Sequence, residues 1–122
     1  MYTVLPQSEG AVLGLEISGR IDIEQERALI AKAEAVIKEH DKIKLLVVVR
    51  EGTSATFEAT MADFKWISTH VKNLGKLAIV ADSKVLGWLV AQDAKIAKHL
   101  GIGERHFTTD DMDAAWAWIR ED

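Results

Sequence analysis

Residues 42–50 read KIKLLVVVR, and this stretch decides the fold class. Its five successive apolar residues, Leu45 to Val49, lack the polar alternation of a strand that has one face in water. Such a run is typical of a central strand that is buried on both faces, as in a parallel sheet. The rest of the chain is therefore interpreted as the elements that surround this strand.

A hairpin and a helix are predicted on its N-terminal side. The apolar segments YTVL and AVLGLEISG are separated by PQSEG, which suits a turn, and together they predict two antiparallel strands. In the second strand, Gly14 and Glu16 are predicted to lie on a polar face. Residues 22–40 predict a helix with Asp22 as its N-cap and with Glu24 and Glu26 in the first turn, where the helix dipole favours anions. Its predicted apolar stripe comprises Ile23, Leu29, Ile30, Ala33, Val36 and Ile37.

Three further helices and two further strands are predicted on the C-terminal side. TFEATMADFKWISTHVKNLG predicts a helix that Gly75 would cap. Its core-facing stripe is predicted to be Phe57, Met61, Phe64, Ile67 and Val71. KLAIVAD predicts a buried strand, and SKVLGWLVAQDAKIAKHLG predicts a helix with Ser83 or Asp82 as its cap. ERHFT predicts the last strand and DDMDAAWAWIRED the last helix.

The predicted element order is β-β-α-β-α-β-α-β-α. Strands that alternate with helices imply parallel pairing through right-handed crossovers. The sequence thus predicts an α/β fold with a single mixed, mainly parallel five-stranded sheet, an N-terminal antiparallel hairpin and four helices. With 122 residues, the chain is expected to form one domain over residues 1–122.

Charge and composition argue against several classes of protein. The formal net charge is −4, and lysines alternate with acidic residues, which argues against a nucleic-acid partner. The chain has no cysteine, which excludes disulfides and Cys-ligated metal centres. No stretch approaches the roughly 20 apolar residues that a membrane helix needs, and the N-terminus lacks the features of a signal peptide. We therefore expect a cytoplasmic protein that is not an integral membrane protein and binds no nucleic acid.

Catalytic constellations are not visible in the sequence. Neither phosphate-binding glycine motif is present, and the four histidines show no metal-ligand spacing. Ser54 lacks the flanking glycines of a nucleophile elbow. Asp110, Asp111 and Asp113 are interpreted as residues that cap a helix and complement its dipole. We expect no enzymatic activity, no cofactor and no metal.

The segment REGTSATFEA, residues 50–59, is the first candidate site. Its hydroxyl groups could form a phosphorylation switch, an anion cradle or a set of helix caps. Gly52 would permit the turn, and Thr56 is interpreted as the N-cap of the following helix. The candidate partner or regulatory residues are Glu51, Gly52, Thr53, Ser54 and Thr56.

The tryptophans indicate a second candidate site. Trp116 is predicted to lie in the core, whereas Trp66 and Trp118 fall at the margin of their helix stripes or outside them. Trp88 belongs to VLGWLV, a helical segment that is apolar nearly all round and so packs under loops or forms a contact surface. The candidates for an apolar-ligand or self-association surface are Met61, Trp66, Val85, Trp88 and Leu89.

The series GLEISGRID, HDKIKLLVVV, TFEATMADFKW, LAIVADSKVLGW and ERHFTTDDMDAAWAWIRED resembles the SpoIIAA-like family of small stand-alone bacterial proteins. Its element order is that of the STAS domain. The resemblance implies a non-enzymatic interaction or regulatory module with a protein partner, which could be a second copy of the chain in a homodimer. The fold is also similar in part to CRAL-TRIO-type lipid-binding domains, which implies the alternative of a small carrier or sensor of an apolar, lipid-like ligand.

The sequence departs from the STAS pattern at one functional position. Anti-sigma factor antagonists carry a phosphorylatable serine in an Asp-Ser-Ser-Gly-like motif after the third strand, where this chain has REGTSATFEA. The aspartate and the Ser-Gly pair are missing. The position of the segment therefore favours regulation, whereas its residues do not.

Overall fold

The computed structural model describes residues 1–87 and 103–121. A mixed sheet lies at its centre. The strands of this sheet are β1 (Tyr2–Val4), β2 (Val12–Ile17), β4 (Ile43–Val49), β6 (Leu74–Ala81) and β7 (Glu104–Thr108). Two further short strands, β3 (Arg20–Ile21) and β5 (Ser54–Ala55), pair with each other in a small second sheet.

The helices follow the predicted order. They are α1 (Ile23–His40), α2 (Phe57–Thr69), α3 (residues 83–87) and α4 (Met112–Arg120), with short 3-10 turns at Val71–Asn73 and Thr109–Asp111. The predicted remainder of α3, from Trp88 onward, lies outside the described residues.

The sheet confirms the predicted fold class. Its strand order is β1-β2-β4-β6-β7; β1 pairs with β2 antiparallel, and the other pairs are parallel. The strand at 43–49 lies in the middle, as its apolar run predicts, with Val47 paired to Leu15 on one side and to Ile79 on the other. The β3–β5 pair was not predicted, because two-residue strands leave no periodic pattern.

Two cores cover the two faces of the sheet, which explains the continuous apolar run in β4. On one face, α4 packs over side chains of β4 and β6; the buried residues are Leu46, Val48, Ala78, Val80, Ala115, Trp116 and Ile119. On the other face, α1 and α2 pack over the sheet; the buried residues are Leu13, Leu15, Ala33, Ile43, Trp66 and Leu74. Successive strand residues point to opposite faces, so β4 contributes Leu46 and Val48 to one core and Ile43 to the other.

Two lysines hold the C-terminal end of α4 against the sheet. Lys76 Nζ donates to the carbonyl of Trp118 at 2.9 Å and to that of Glu121 at 2.7 Å. Lys44 Nζ donates to the same Glu121 carbonyl at 2.7 Å. The last carbonyls of a helix lack partners within the helix and carry its negative dipole end, so the two ammonium groups satisfy both needs.

The predicted core stripe of α2 is wrong for three residues. Phe57, Met61 and Phe64 are 80%, 49% and 44% exposed, respectively. Trp66, which was predicted at the margin, is 8% exposed. Its ring stacks on His70 at 4.5 Å, and its Nε1 donates to the Glu34 carboxylate of α1 at 3.1 Å. The Trp66 indole fills the space beside α1. Phe57, Met61 and Phe64 consequently lie on the side of α2 that faces away from the core.

The predicted helix boundaries were partly wrong. α2 ends at Thr69, with His70 as its C-cap, and Gly75 lies inside β6 rather than capping the helix. Asp82, not Ser83, supplies the side-chain cap of α3, because its Oδ1 accepts from the Val85 amide at 2.9 Å. Asp111 occupies the N-cap of α4 but makes no side-chain capping bond there.

Candidate functional site

A cavity of about 880 Å³, partly open to solvent, lies between the sheet and helices α1 and α2. Its sheet wall consists of Leu15, Ile17, Leu45, Val47, Val49, Leu77 and Ile79. Its helical wall includes Leu29, Ile30, Ala33, Ala59, Trp66 and Ile67. The volume falls within the range of small-molecule sites, and the described walls are mostly apolar, as such sites are.

A pair of acidic side chains from two helices interrupts this apolar lining. Glu26 of α1 and Asp63 of α2 both line the cavity, and their side chains are hydrogen-bonded to each other. Glu26 is 8% exposed and is the buried charged residue of the described chain. Two carboxyl groups can form such a bond only when one of them carries a proton.

Burial of Glu26 raises its pKa to about 8, and the hydrogen bond to Asp63 and the repulsion between the two carboxyl groups add to the shift. Burial also raises the pKa of Asp63, although the hydrogen bond from Glu26 opposes this rise. Asp63 is exposed as a residue, whereas its carboxyl group has lost part of its solvation. At neutral pH the pair therefore holds one proton, which the two carboxyl groups share through their hydrogen bond.

Other polar groups reach the cavity from elements on either side. Lys84 of α3 and Glu104 of β7 line it, as do hydroxyl groups from the loop after β4 and from α2. His106 Nε2 lies 2.8 Å from Glu104 Oε2 without hydrogen-bond geometry. Among the described residues, three carboxyl groups and one ammonium group therefore line the cavity.

The loop between β4 and α2, residues 50–56, is a tight turn in which the hydroxyl groups of Thr53 and Thr56 form hydrogen bonds to the backbone. Gly52 has φ of 82°, a conformation that side chains disfavour, as predicted for the turn. Thr53 Oγ1 donates to the Arg50 carbonyl at 2.6 Å. Ser54 is exposed and pairs in register with Arg20 in the small second sheet.

Thr56 is the N-cap of α2, as predicted. Its Oγ1 accepts from the Ala59 amide at 3.1 Å. Of the three alternatives for this segment, the capping role is the one that the hydrogen bonds of Thr56 match.

An exposed apolar strip follows this loop directly. Phe57, Met61 and Phe64 occupy successive turns along one side of α2, and we call them the outer face of α2. Large apolar side chains on three successive turns form a contiguous patch, whereas single exposed apolar residues are ordinary. This surface is continuous in sequence with the 50–56 loop.

The structure separates the residues predicted for the apolar site. Trp66 and Val85 lie together on the cavity, whereas Met61 lies on the outer face of α2. Trp88 and Leu89 lie outside the described residues. Sequence reasoning missed Glu26 and Asp63 as a pair. The available signal was Glu26 itself, since it occurs one turn before Ile30 and Leu29 on the side of α1 that carries the apolar stripe.

The described residues form neither a cluster of metal ligands nor a helix that could span a membrane. Across residues 1–87 and 103–121, no group of three or more His, Asp or Glu side chains is placed to hold a metal ion. Over the same ranges, none of the helices combines the length and apolarity required to cross a bilayer.

Comparison with known proteins gives one match. The model of the family described as SpoIIAA-like matches residues 12–120. The match begins at the first residue of β2 and ends at the last residue of α4, so it spans both cores and the cavity. No curated protein and no solved structure matches the chain.

Proposed function

The chain belongs to the SpoIIAA-like family, whose domains are of STAS type and generally act as protein-interaction or regulatory modules, and from this premise we propose that it is a non-enzymatic interaction module. Its partner surface would be the outer face of α2 together with the loop from Glu51 to Thr56. The observation that carries this proposal is the 80% exposure of Phe57, the first residue of α2. The cysteine-free composition supports a cytoplasmic location.

The energetics favour association at this surface. Burial of apolar area contributes about 25 cal/mol per Å², and aromatic side chains are enriched among the residues that dominate interfaces. Phe57 and Phe64 are both aromatic, and Met61 between them adapts its shape to a partner. None of the three is needed to fill the cores, so their apolar character is available for a partner.

A photo-crosslinking experiment tests the proposal. A photoreactive phenylalanine analogue is placed at position 57 or 64, with position 39, on the exposed end of α1, as the matched control. We expect a discrete crosslinked product in cells from positions 57 and 64 but not from 39, and its loss in a Met61→Asp background. Crosslinking that is equally diffuse at all three positions would contradict the proposal.

The same experiment identifies the kind of partner. A product of twice the protein's mass indicates a homodimer through α2, and light scattering of wild type and Phe57→Glu should then show a change from dimer to monomer. A product of any other mass indicates a different protein as partner. Phe57 is exposed, so the Phe57→Glu variant is expected to fold.

Phosphorylation would regulate this surface most directly at Ser54. Ser54 is exposed and its register partner is Arg20, whereas the Thr53 hydroxyl is donated to a backbone carbonyl. A phosphate at Ser54 would add about two negative charges at the register position opposite Arg20 and two residues before the helix N-cap. Mass spectrometry of protein from its native cell tests this, and a consistently unmodified 50–56 segment would count against it.

The cavity supports a second candidate function, that of a small carrier or sensor of an apolar ligand. Its volume and its apolar walls suit a drug-sized or lipid-like molecule. Native mass spectrometry of freshly purified protein tests this candidate. An empty protein that also fails to bind a fluorescent apolar probe would dismiss it.

A further inference from the structure

The polar groups of the cavity define which apolar ligand it would take, so this inference rests on the carrier function proposed above. The cavity is continuous along the sheet wall from Leu15 to Ile79, and its helical wall is interrupted by Glu26 and Asp63. The two carboxyl groups come from different helices and meet at the cavity surface. A ligand that fills the apolar space must therefore place some group against this pair.

The pair carries negative charge at a part of the cavity wall where Glu26 is buried. Burial raises the pKa of Glu26 to about 8 and also raises that of Asp63, which means that the charged forms of both groups are disfavoured. With one proton shared between the two carboxyl groups, the pair carries one negative charge. A cation beside the pair lowers the cost of keeping that charge next to the buried Glu26 side chain.

The remaining charged groups of the cavity wall determine which head-group charge the site favours. Glu104 adds a third carboxyl group, with His106 beside it, and Lys84 supplies one ammonium group. A carboxylate head group, such as that of a fatty acid, would thus meet mostly like charge. A hydroxyl head group could donate to Asp63 but would leave the charge in place. A protonated amine both donates hydrogen bonds and neutralises the charge.

We propose that the cavity binds an amphiphile with a hydrocarbon or aromatic body and a protonated primary amine, whose ammonium group is seated between Glu26 and Asp63. The apolar body would lie against the sheet and Trp66. The site would discriminate among ligands of equal length by the charge of their head groups. No bond is made or broken in this process.

Binding of the ammonium group is linked to pH. The cation favours the ionised form of Glu26, so binding below the pKa of that group releases a proton. Affinity for the amine should therefore rise between about pH 6 and about pH 8.5, while the amine itself stays protonated. A neutral ligand of the same length should show a weak or opposite dependence, because it gains nothing from ionisation of the pair.

Three ligands of equal chain length test the head group: dodecylamine, dodecanol and dodecanoate, each titrated calorimetrically below its micelle-forming concentration. We expect the amine to bind about tenfold more tightly than the alcohol, and dodecanoate to bind weakest. The double variant Glu26→Gln, Asp63→Asn should remove most of the amine's advantage over the alcohol, whereas Glu26→Gln alone should remove the pH dependence of amine binding. Circular dichroism verifies that both variants are folded, and the pH dependence of the wild type tests the same point without any variant.

Matched controls separate the cavity from other surfaces. Glu39→Gln removes an exposed carboxylate elsewhere on α1, and Met61→Ser removes an apolar residue of the outer face of α2. Neither residue lines the cavity, so neither change should alter amine affinity. A loss of amine binding in either control would overturn the assignment to the cavity.

The outcomes separate a failure of the amine site from a failure of the carrier function. Equal affinity for amine and alcohol, or tightest binding of dodecanoate, would overturn the amine site while the carrier function stands. Failure of all three ligands to bind would overturn both. Tight amine binding that survives in the double variant Glu26→Gln, Asp63→Asn would overturn the role of the pair.

Discussion

The indole ring of Trp116 on α4 lies directly over the backbone of Gly14 on β2. A Cβ at position 14 would come within 2.9 Å of the indole Cζ2, and even closer to Cη2. Gly14 was predicted on a polar face of β2, and this was wrong: it is buried beneath the aromatic ring. Because Gly14 has no side chain, the Trp116 ring packs directly against the backbone of β2, and this fixes how closely α4 approaches the strand.

Gly14→Ala should therefore destabilise the protein. The inserted methyl group overpacks the contact with a large ring that is itself buried, and such changes cost about 1–3 kcal/mol. Urea unfolding monitored by circular dichroism measures the change. Gly87→Ala is the control, since a Cβ at that helical position meets no heavy atom of the described residues within 4 Å apart from its chain neighbours and its own helix backbone, and it should be neutral or stabilising by up to about 1 kcal/mol. Equal effects of the two substitutions would contradict the close packing of Trp116.

The stability of the fold should decrease from acidic to mildly alkaline pH. The folded-state pKa of Glu26 is raised from 4.5 to about 8, so between these values the folded state binds more protons than the unfolded state. The free energy of unfolding therefore falls as pH rises through this window, and the raised pKa of Asp63 acts in the same direction. One such proton contributes a slope of at most about 1.4 kcal/mol per pH unit, and solvent screening of the pair narrows the pH window over which this slope applies.

Glu26→Gln should flatten this pH dependence. The amide cannot ionise, so the variant should be more stable than wild type at about pH 8.5 and similar to it or less stable at about pH 5. Chemical unfolding at a series of pH values measures both effects. Parallel curves for the two proteins would show that Glu26 is not the titrating group.

The cap of α2 should be worth a measurable part of the stability. Thr56→Ala removes the oxygen that accepts from the Ala59 amide and should cost about 0.5–2 kcal/mol. Thr56→Ser keeps that oxygen and should cost much less. A comparison of the urea midpoints of the two variants tests the assignment, and similar losses in both would point to the methyl group rather than the cap.

Truncation of a side chain should destabilise the protein strongly on the buried face of α2 and only slightly on its outer face. Trp66→Ala opens a space in the core against α1 and should cost about 3–5 kcal/mol. Phe64→Ser, on the outer face, should change the free energy of unfolding by no more than about 0.5 kcal/mol. Thermal unfolding of both variants measures this difference. A larger loss for Phe64→Ser would restore the helix orientation that the sequence pattern predicted.

Sheet topology could be predicted because its signals are local. The apolar run from Leu45 to Val49 and the alternation of strands with helices determine a parallel order, and Asp22 and Thr56 mark helix starts by residue type. The orientation of α2 could not be predicted, because Phe57, Met61 and Phe64 form as regular an apolar stripe as the residues of α2 that are buried. The observed orientation buries Ala59 and the Trp66 indole, whose Nε1 donates to Glu34 of α1, and these are contacts between distant parts of the chain.

The candidate site was predicted less well for a related reason. Thr53, Ser54 and Thr56 could be placed at a strand–helix junction from local pattern alone. The cavity depends on distances between α1, α2 and the sheet, which no periodicity encodes. Glu26 was interpreted as a dipole residue of the first turn, which is compatible with its position. Its contact with Asp63, 37 residues along the chain (63 − 26), becomes visible only when two helices are placed side by side.

The position of α4 in the chain has a consequence for how the protein is made. Among the described helices, α4 supplies the buried side chains over the sheet face of Leu46, Val48, Ala78 and Val80, and it follows every strand in sequence. A ribosome therefore releases the strands before it releases the helix that covers them. Until α4 emerges, this apolar face is a target for chaperones and for pairing with other nascent chains. Emergence of α4 from the ribosome is thus expected to be the point at which this apolar face becomes protected against aggregation and proteolysis.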